Sequence, residues 1–351
     1  MAEAVIAQAE IIRANGGEAV VFALEDEHSA EDALRYAPSQ VHFSRIVGPT
    51  QIGFAPDLLK KLLAARLDCL HQQGIWMYPT RAGELWARRT GKPLVITPQG
   101  MLDPWITARG RWKKALARIG YERAAWRRAA FFHALTGREA RAIEHEAGRS
   151  DSLVLPNVGP PVISAPTRIR EAKITFIGRI HPKKNILALV AAWKLLNPAG
   201  AQLVIAGWGA DEDVAELKAA LIGAPASAQF VGPIFGEAKQ QLLERSRFTI
   251  LPSHSEGLPL SILESWAAAT PSIMTDECNI PEGFEMGGAI ECGYVPLAIA
   301  EAIAGALELN EPQWLEMAAA AHRLAAGPFS LETVGRRWAN AYLAAIAGKK
   351  S

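Results

Sequence analysis

Short β-branched runs alternate with longer amphipathic runs along most of the chain, and that alternation restricts the fold to parallel strands joined by helices. The second half is regular. KITFIGRI, AQLVIAGWG, AQFVGPI and FTILPS read as strands, and NILALVAAWKLL, DVAELKAAL, EAKQQLLERS and PLSILESWAAA as helices between them. The first half repeats the scheme with EAVVFAL, VHFSRI, LDCLHQQG, PLVITPQG, FFHAL and SLVLPN as strands. Two Rossmann-like α/β domains are expected, the first over residues 1–163 and the second over 164–328. A helix in 329–351 lies beyond the turn at Gly327 and Pro328. Pro160, Pro161 and Pro166 mark the stretch between the domains, where regular structure ends and a hinge fits.

The start departs from this scheme. AEAVIAQAEIIRANGG reads as a helix ended by Gly16 and Gly17, so the strand that ordinarily opens a doubly wound domain is missing. The expectation is that Met1 falls inside a longer original gene. The first sheet should then lack one central strand or fill the gap from elsewhere.

A chain of 351 residues, 50% of them hydrophobic, can bury more than one core. Its net charge of +1 gives no push toward nucleic acid. Cys69, Cys278 and Cys292 lack CxxC spacing, so neither a disulfide framework nor a zinc site is indicated, and a reducing, cytoplasmic setting fits. No signal peptide or uncharged apolar run of about 18 residues occurs. No GxGxxG follows a strand, which argues against a nicotinamide-dependent dehydrogenase.

The chemistry concentrates at two strand ends. In SHSEGLPLSILE, Pro259 suits the first turn of a helix beginning at Gly257 or Leu258, whose amides then offer an anion site. Glu256 lies just outside that helix and Glu264 beside its apolar stripe. One reading makes both carboxylates ligands for hydroxyl groups. The other makes Ser253 and Glu256 a capping box and pairs Glu264 with a nearby lysine or arginine. In GRIHPKKN, Gly178 and Arg179 end a strand and Lys184 opens the next helix. Both cations then emerge at the same carboxyl edge, where open sheets bind ligands. Two cations beside a helix N-terminus suit a diphosphate.

Gly178, Arg179 and Lys184 followed by Glu256 and Glu264, in the order GR-x4-K and E-x7-E, resemble the retaining glycosyltransferases of family 4. VLPNVG, IAGWG and FVGPI extend the likeness, and LDCLHQQGIW and TPQGMLDPW resemble the subgroup that builds exopolysaccharide and cell-surface glycans. The resemblance implies the GT-B fold, two Rossmann-like domains facing a cleft with the terminal helix crossing back to the first. It implies transfer of a hexose from a UDP- or GDP-sugar to a saccharide or lipid-linked acceptor, with retained configuration and no metal. Arg179, Lys184 and Glu256 would carry catalysis. Gly178, Gly257, Leu258 and Glu264 would bind the donor, and His71, Gln99 and Gly100 would lie on the acceptor or sugar side. Gln99 and Gly100 stand where the family has His-Gly, and Gln73 stands for another of its histidines. The alternatives are a nucleotide-sugar epimerase of the same fold and a non-catalytic nucleotide-binding homologue.

Trp105 to Phe132 holds eight Lys and Arg and one Glu, a net +7 that leaves −6 on the rest of the chain. Trp112, Leu116, Ile119 and Trp126 can line one helical face. That makes either a peripheral contact with an anionic membrane or an ordinary core face with solvated basic residues opposite.

Overall fold

The computed structural model describes residues 2–27, 29–103, 107, 111–163, 166 and 168–348. The chain divides into two compact units, Met1–Asn157 with Glu332–Ser351, and Val158–Leu331. The division falls before Val158 because Gly159 N donates to Phe329 O and Ile163 N to Ala267 O, both acceptors in the second unit. The helix Leu331–Ile346 belongs to the first unit, where Trp338 and Ala341 are buried.

The first described element of the first unit is the helix Ala2–Ala14. Strands β1 (Val20–Leu24) and β2 (Gln40–Ser44) pair only with each other. Strands β3 (Leu70–Gln73), β4 (Leu94–Thr97), β5 (Phe131–Ala134) and β6 (Ser152–Val154) form a second parallel sheet in that order. Two sheets thus stand where a doubly wound domain ordinarily has one continuous sheet. Their core gathers Trp86, Leu94, Ile96, Trp126 and Phe132, all buried. Each such side chain contributes roughly 1.5–3 kcal/mol on removal from water.

The second unit is one parallel sheet of six strands in the order β12-β11-β10-β7-β8-β9. They are β7 (Lys173–Ile177), β8 (Gln202–Ala206), β9 (Ala228–Gly232), β10 (Phe248–Leu251), β11 (Ser272–Met274) and β12 (Ala289–Glu291). Central strands of such a sheet are covered on both faces, which is why Phe248, Thr249, Ile250 and Leu251 are all buried. Its buried hydroxyls satisfy one another: Thr175 Oγ1 lies 2.6 Å from Ser246 Oγ, and Thr249 Oγ1 2.7 Å from Ser265 Oγ.

The order within this sheet sets the site. Strands β7 and β10 are neighbours in space but carry GRIHPKKN and SHSEGLP, so both motifs leave the same edge side by side.

Candidate active site

Gly178 and Arg179 follow β7 directly, and the next residues form a short 3-10 turn, Pro182–Lys184, capped by His181 Nδ1, which accepts from Lys183 N at 3.1 Å. Lys184 therefore closes a turn and does not open the helix, which runs Ile186–Leu196 after the left-handed Asn185. Neighbouring loops hold this turn in place. His254 N donates to Lys183 O at 2.9 Å and Ile180 N to Trp208 O at 2.7 Å. Gly207 is required by the second contact, since a Cβ there would come 1.8 Å from the Gly178 carbonyl oxygen.

The structure brings Lys184 and Glu256 into a direct ion pair, Nζ to Oε1 2.5 Å, with both side chains largely covered. Glu264 pairs instead with Lys239 Nζ at 2.5 Å, from the helix Gly236–Arg245. Arg179 is exposed and forms no ion pair among the described residues. A site with one free guanidinium, two lysines and two carboxylates can exchange internal pairs for a ligand that carries both anionic and hydroxyl groups.

Two sequence expectations require correction. The helix after β10 spans Leu260–Ala267 with Pro259 at its N-cap, so Gly257, in a bend, and Leu258 precede it outside the helix. Glu256 N donates to Glu277 O, and Asn279 Nδ2 to Glu256 O, which pulls this stretch toward the β11 loop and delays the helix. The capping box is not formed, because Ser253 Oγ is buried without a partner and Glu256 is committed to Lys184. The pairing of Glu264 with a lysine holds. Gly178 leaves room for a side chain, the nearest atom to a Cβ being Phe176 Cζ at 3.4 Å.

Sequence reasoning passed over an aromatic pair on the same edge. Trp208 and Phe235 follow β8 and β9, stand exposed, and lie 5.4 Å apart between ring centroids. The signal was available: each is a large aromatic directly after a strand-ending glycine motif, IAGWG and GPIF.

In the first unit His71 lies within β3, paired with Val95 and with its ring turned into the interior, whereas Gln99 and Gly100 follow the carboxyl end of β4. Gln99 and Gly100 take left-handed backbone, φ 57° and 75°, as does Trp76 at 76°. Non-glycine residues in that region store strain that gathers at binding sites. Buried carboxylates hold these turns. Glu139 Oε1 accepts from Gly100 N at 2.6 Å and Oε2 from Leu135 N at 2.8 Å. Burial raises the Glu139 carboxyl above the usual carboxylate range, and those two donors oppose the shift. Glu122 Oε1 accepts from Trp76 N at 2.5 Å, and burial pushes its carboxyl up to about 7. Glu122 ends a π-helical turn, Arg118–Glu122, whose extra residue swings this carboxylate into the core.

The basic segment also divides. Trp112, Leu116 and Ile119 are 65%, 63% and 74% exposed, whereas Trp126 is buried in the core and leaves the stripe. Trp105 lies outside the described residues. No helix among the described residues is long and apolar enough to cross a membrane.

Both halves of the chain match models of known domains. Residues 1–157 match a glycosyl transferase 4-like domain and residues 171–309 the glycosyl transferases group 1. HepE of Anabaena, solved in complex with UDP and glucose, superposes with a TM-score of 0.78 at 17% identity, covering 97% of this chain and 96% of that one. A sucrose-phosphate synthase from Thermosynechococcus elongatus gives 0.68 at 16% identity, covering 94% and 100%. In sequence, glycogen synthase of Mycobacterium tuberculosis is 28% identical over 194 residues, 54% of this chain and 47% of its own length. O-antigen chain mannosyltransferase B of Escherichia coli is 27% identical over 171 residues, 48% and 44%. These alignments span about half the length of the curated relatives.

Proposed function

We propose that this chain, which carries the two domains of a GT-B glycosyltransferase in its two halves, is a retaining hexosyltransferase of the family 4 type. It moves a hexose from a UDP- or GDP-sugar to a saccharide or lipid-linked acceptor in surface polysaccharide synthesis. The observation that carries this reading is the Lys184–Glu256 pair, with Arg179 exposed on the same loop after β7.

A nucleotide diphosphate on this edge meets Arg179 and Lys184, whose cations stabilise charge on the leaving nucleotide, and the backbone amides of Gly257 and Leu258. Lys184 turns from Glu256 to a phosphate oxygen, and the released Glu256 carboxylate accepts from hydroxyls of the sugar. Glu264 accepts from the ribose hydroxyls, and the base stacks on the Trp208–Phe235 pair. The acceptor hydroxyl attacks the anomeric carbon on the face from which the diphosphate departs. One C–O bond breaks, one forms, and the hydroxyl proton passes to a phosphate oxygen. An α-linked donor then gives an α-linked product. The charge that a metal ion would neutralise falls on Arg179 and Lys184, so chelation with EDTA is expected to leave turnover unchanged.

Peripheral contact with an anionic membrane at the inner face of the cytoplasmic membrane completes the reading. It is supported by the exposed Trp112, Leu116 and Ile119 within a stretch of net charge +7.

Melting curves against a panel of nucleotides and nucleotide sugars test the donor, since a ligand of the native state alone raises the transition. UDP-glucose is the first probe, because HepE was solved with UDP and glucose. Stabilisation by a nucleotide sugar followed by transfer with retained anomeric configuration supports the reading. Isomerisation of the donor alone, or binding with no turnover over a broad acceptor panel, overturns it.

A further inference from the structure

The first unit contains a hydrogen-bond chain whose direction can be worked out from its far end. His133 Nε2 lies 2.8 Å from the carbonyl oxygen of Leu155, which can only accept, so His133 carries its proton on Nε2. Burial keeps both rings neutral, pushing His133 down to about 4 and His71 well below the usual histidine range. A neutral ring has one N–H, so His133 Nδ1 accepts, and Thr97 donates to it at 2.8 Å. With its proton committed, Thr97 accepts from His71 Nε2 at 2.6 Å. His71 Nδ1 then accepts from the Tyr342 hydroxyl at 2.6 Å, and that oxygen accepts from Gln8 Nε2 at 2.7 Å. Trp338 packs on both rings, 4.5 Å from His133 and 5.1 Å from His71 between centroids, so the terminal helix holds them in place.

The order extends outward to the carboxyl edge. The Gln73 amide nitrogen is set 3.2 Å from His71 Nε2, and the Gln73 oxygen 2.7 Å from Gln99 Nε2. With a proton on His71 Nε2, the first of these contacts would bring two donors face to face. A half-turn of the Gln73 amide supplies an acceptor there and aims its N–H groups at Gln99. A matching half-turn of Gln99 presents its oxygen to Gln73 and turns its own N–H groups away from Gln73. We propose that this proton-ordered chain makes Gln99 a hydrogen-bond donor, so that the carboxyl edge of the first unit recognises an oxygen lone pair of a hydroxyl or phosphate group. That the ligand is a glycosyltransferase substrate rests on the reading above; the proton order does not.

Nitrogen-15 spectra of the full chain labelled at histidine and glutamine test the order without any substrate. His71 and His133 are both expected to carry the proton on Nε2 alone, unchanged across neutral pH. A His71 ring protonated on Nδ1, or titrating there, overturns the proposal. Gln99→Glu keeps an acceptor toward Gln73, so the Gln73 N–H signals should move downfield as they meet a carboxylate while His71 keeps its tautomer. Unmoved Gln73 signals or a switched His71 overturn the order. Titration of wild type with glucose and, separately, inorganic phosphate follows the Gln99 N–H signals. Movement with glucose assigns a hydroxyl, movement with phosphate assigns a phosphate oxygen, and stillness with both overturns the ligand assignment.

Discussion

Lys184 and Glu256, separated by 72 positions, hold each other in a largely covered pair, so replacing either partner changes what the other can do. Lys184→Ala removes a cation from the diphosphate and strands a carboxylate beside it; nucleotide diphosphate affinity should fall by about 1.5–3 kcal/mol, the range for a hydrogen bond to a charged group. Glu256→Gln frees Lys184 for phosphate, so calorimetric titration should find affinity equal to wild type or tighter while transfer to the acceptor is lost. Equal losses of affinity in both variants would show that the pair acts as one structural unit and would remove Glu256 from the sugar. Glu122 gives a second residue-scale expectation. Its folded carboxyl titrates at about 7 against an ordinary 4.5, so the folded state holds the proton more tightly than the unfolded state does. Stability therefore falls as pH rises from the lower value to the higher, by about 3 kcal/mol at ~1.4 kcal/mol per pH unit. Glu122→Gln retains an acceptor for Trp76 N and should flatten that decline. Melting curves of both proteins between the two pH values decide it, and parallel slopes would place the titration elsewhere.

At the scale of elements, the loops at the sheet edge are spaced by glycine. A methyl group at Gly207 would meet the Gly178 carbonyl oxygen, whereas one at Gly178 makes only ordinary contacts. Gly207→Ala should thus cost about 1–3 kcal/mol in denaturant unfolding, as overpacking does, and displace Arg179 enough to weaken nucleotide binding. Gly178→Ala should unfold near wild type, and the reverse ranking would refute this account of the edge. The same elements show how far the sequence could be read. Strands β7 to β10 were legible because each is a β-branched or aromatic run between turn residues, and β4 and β5 were legible for the same reason, whereas β3, Leu-His-Gln-Gln, holds no β-branched residue and was read only as part of the longer stretch LDCLHQQG. Strands β11 and β12 were not, since SIM and AIE are too short to show a period. Of the candidate site, both Lys184 and Glu256 were named by the motif, and the structure joins them in an ion pair. Lys239 as the partner of Glu264 was not, because the contact is made across two helices that sequence spacing does not relate. Trp76 and Glu122 were hidden by the π-helical turn, which breaks the 3.6-residue period where the carboxylate turns inward.

For the whole molecule, charge is the property that no single residue reveals. A net +7 on Trp105 to Phe132 against −6 elsewhere concentrates positive charge in one segment of a chain of nearly zero total charge. Electrostatics alone would orient it near an anionic surface but would not hold it there. The apolar stripe supplies the second component: Trp112, Leu116 and Ile119 recur at helical spacing and are exposed, while exposed Arg123 and Arg127 continue the segment. Not every cation there is available, because Arg118 is paired with Glu146, Arg128 lies 3.6 Å from Glu84, and Lys114 Nζ sits 6.0 Å from the Trp76 ring centroid. The variant that tests attraction is therefore Arg123→Glu with Arg127→Glu, and the one that tests insertion is Trp112→Ala, Leu116→Ala and Ile119→Ala together. Wild type should float with vesicles containing phosphatidylglycerol at low salt and dissociate in ~1 M salt, where the Debye length falls to ~3 Å. The charge variant should lose binding at every salt concentration. The apolar variant should keep weak, fully salt-sensitive binding, since only the non-electrostatic part has gone. Flotation of the charge variant at wild-type levels, or equal binding of wild type to neutral phosphatidylcholine vesicles, would show that this segment is not a membrane contact.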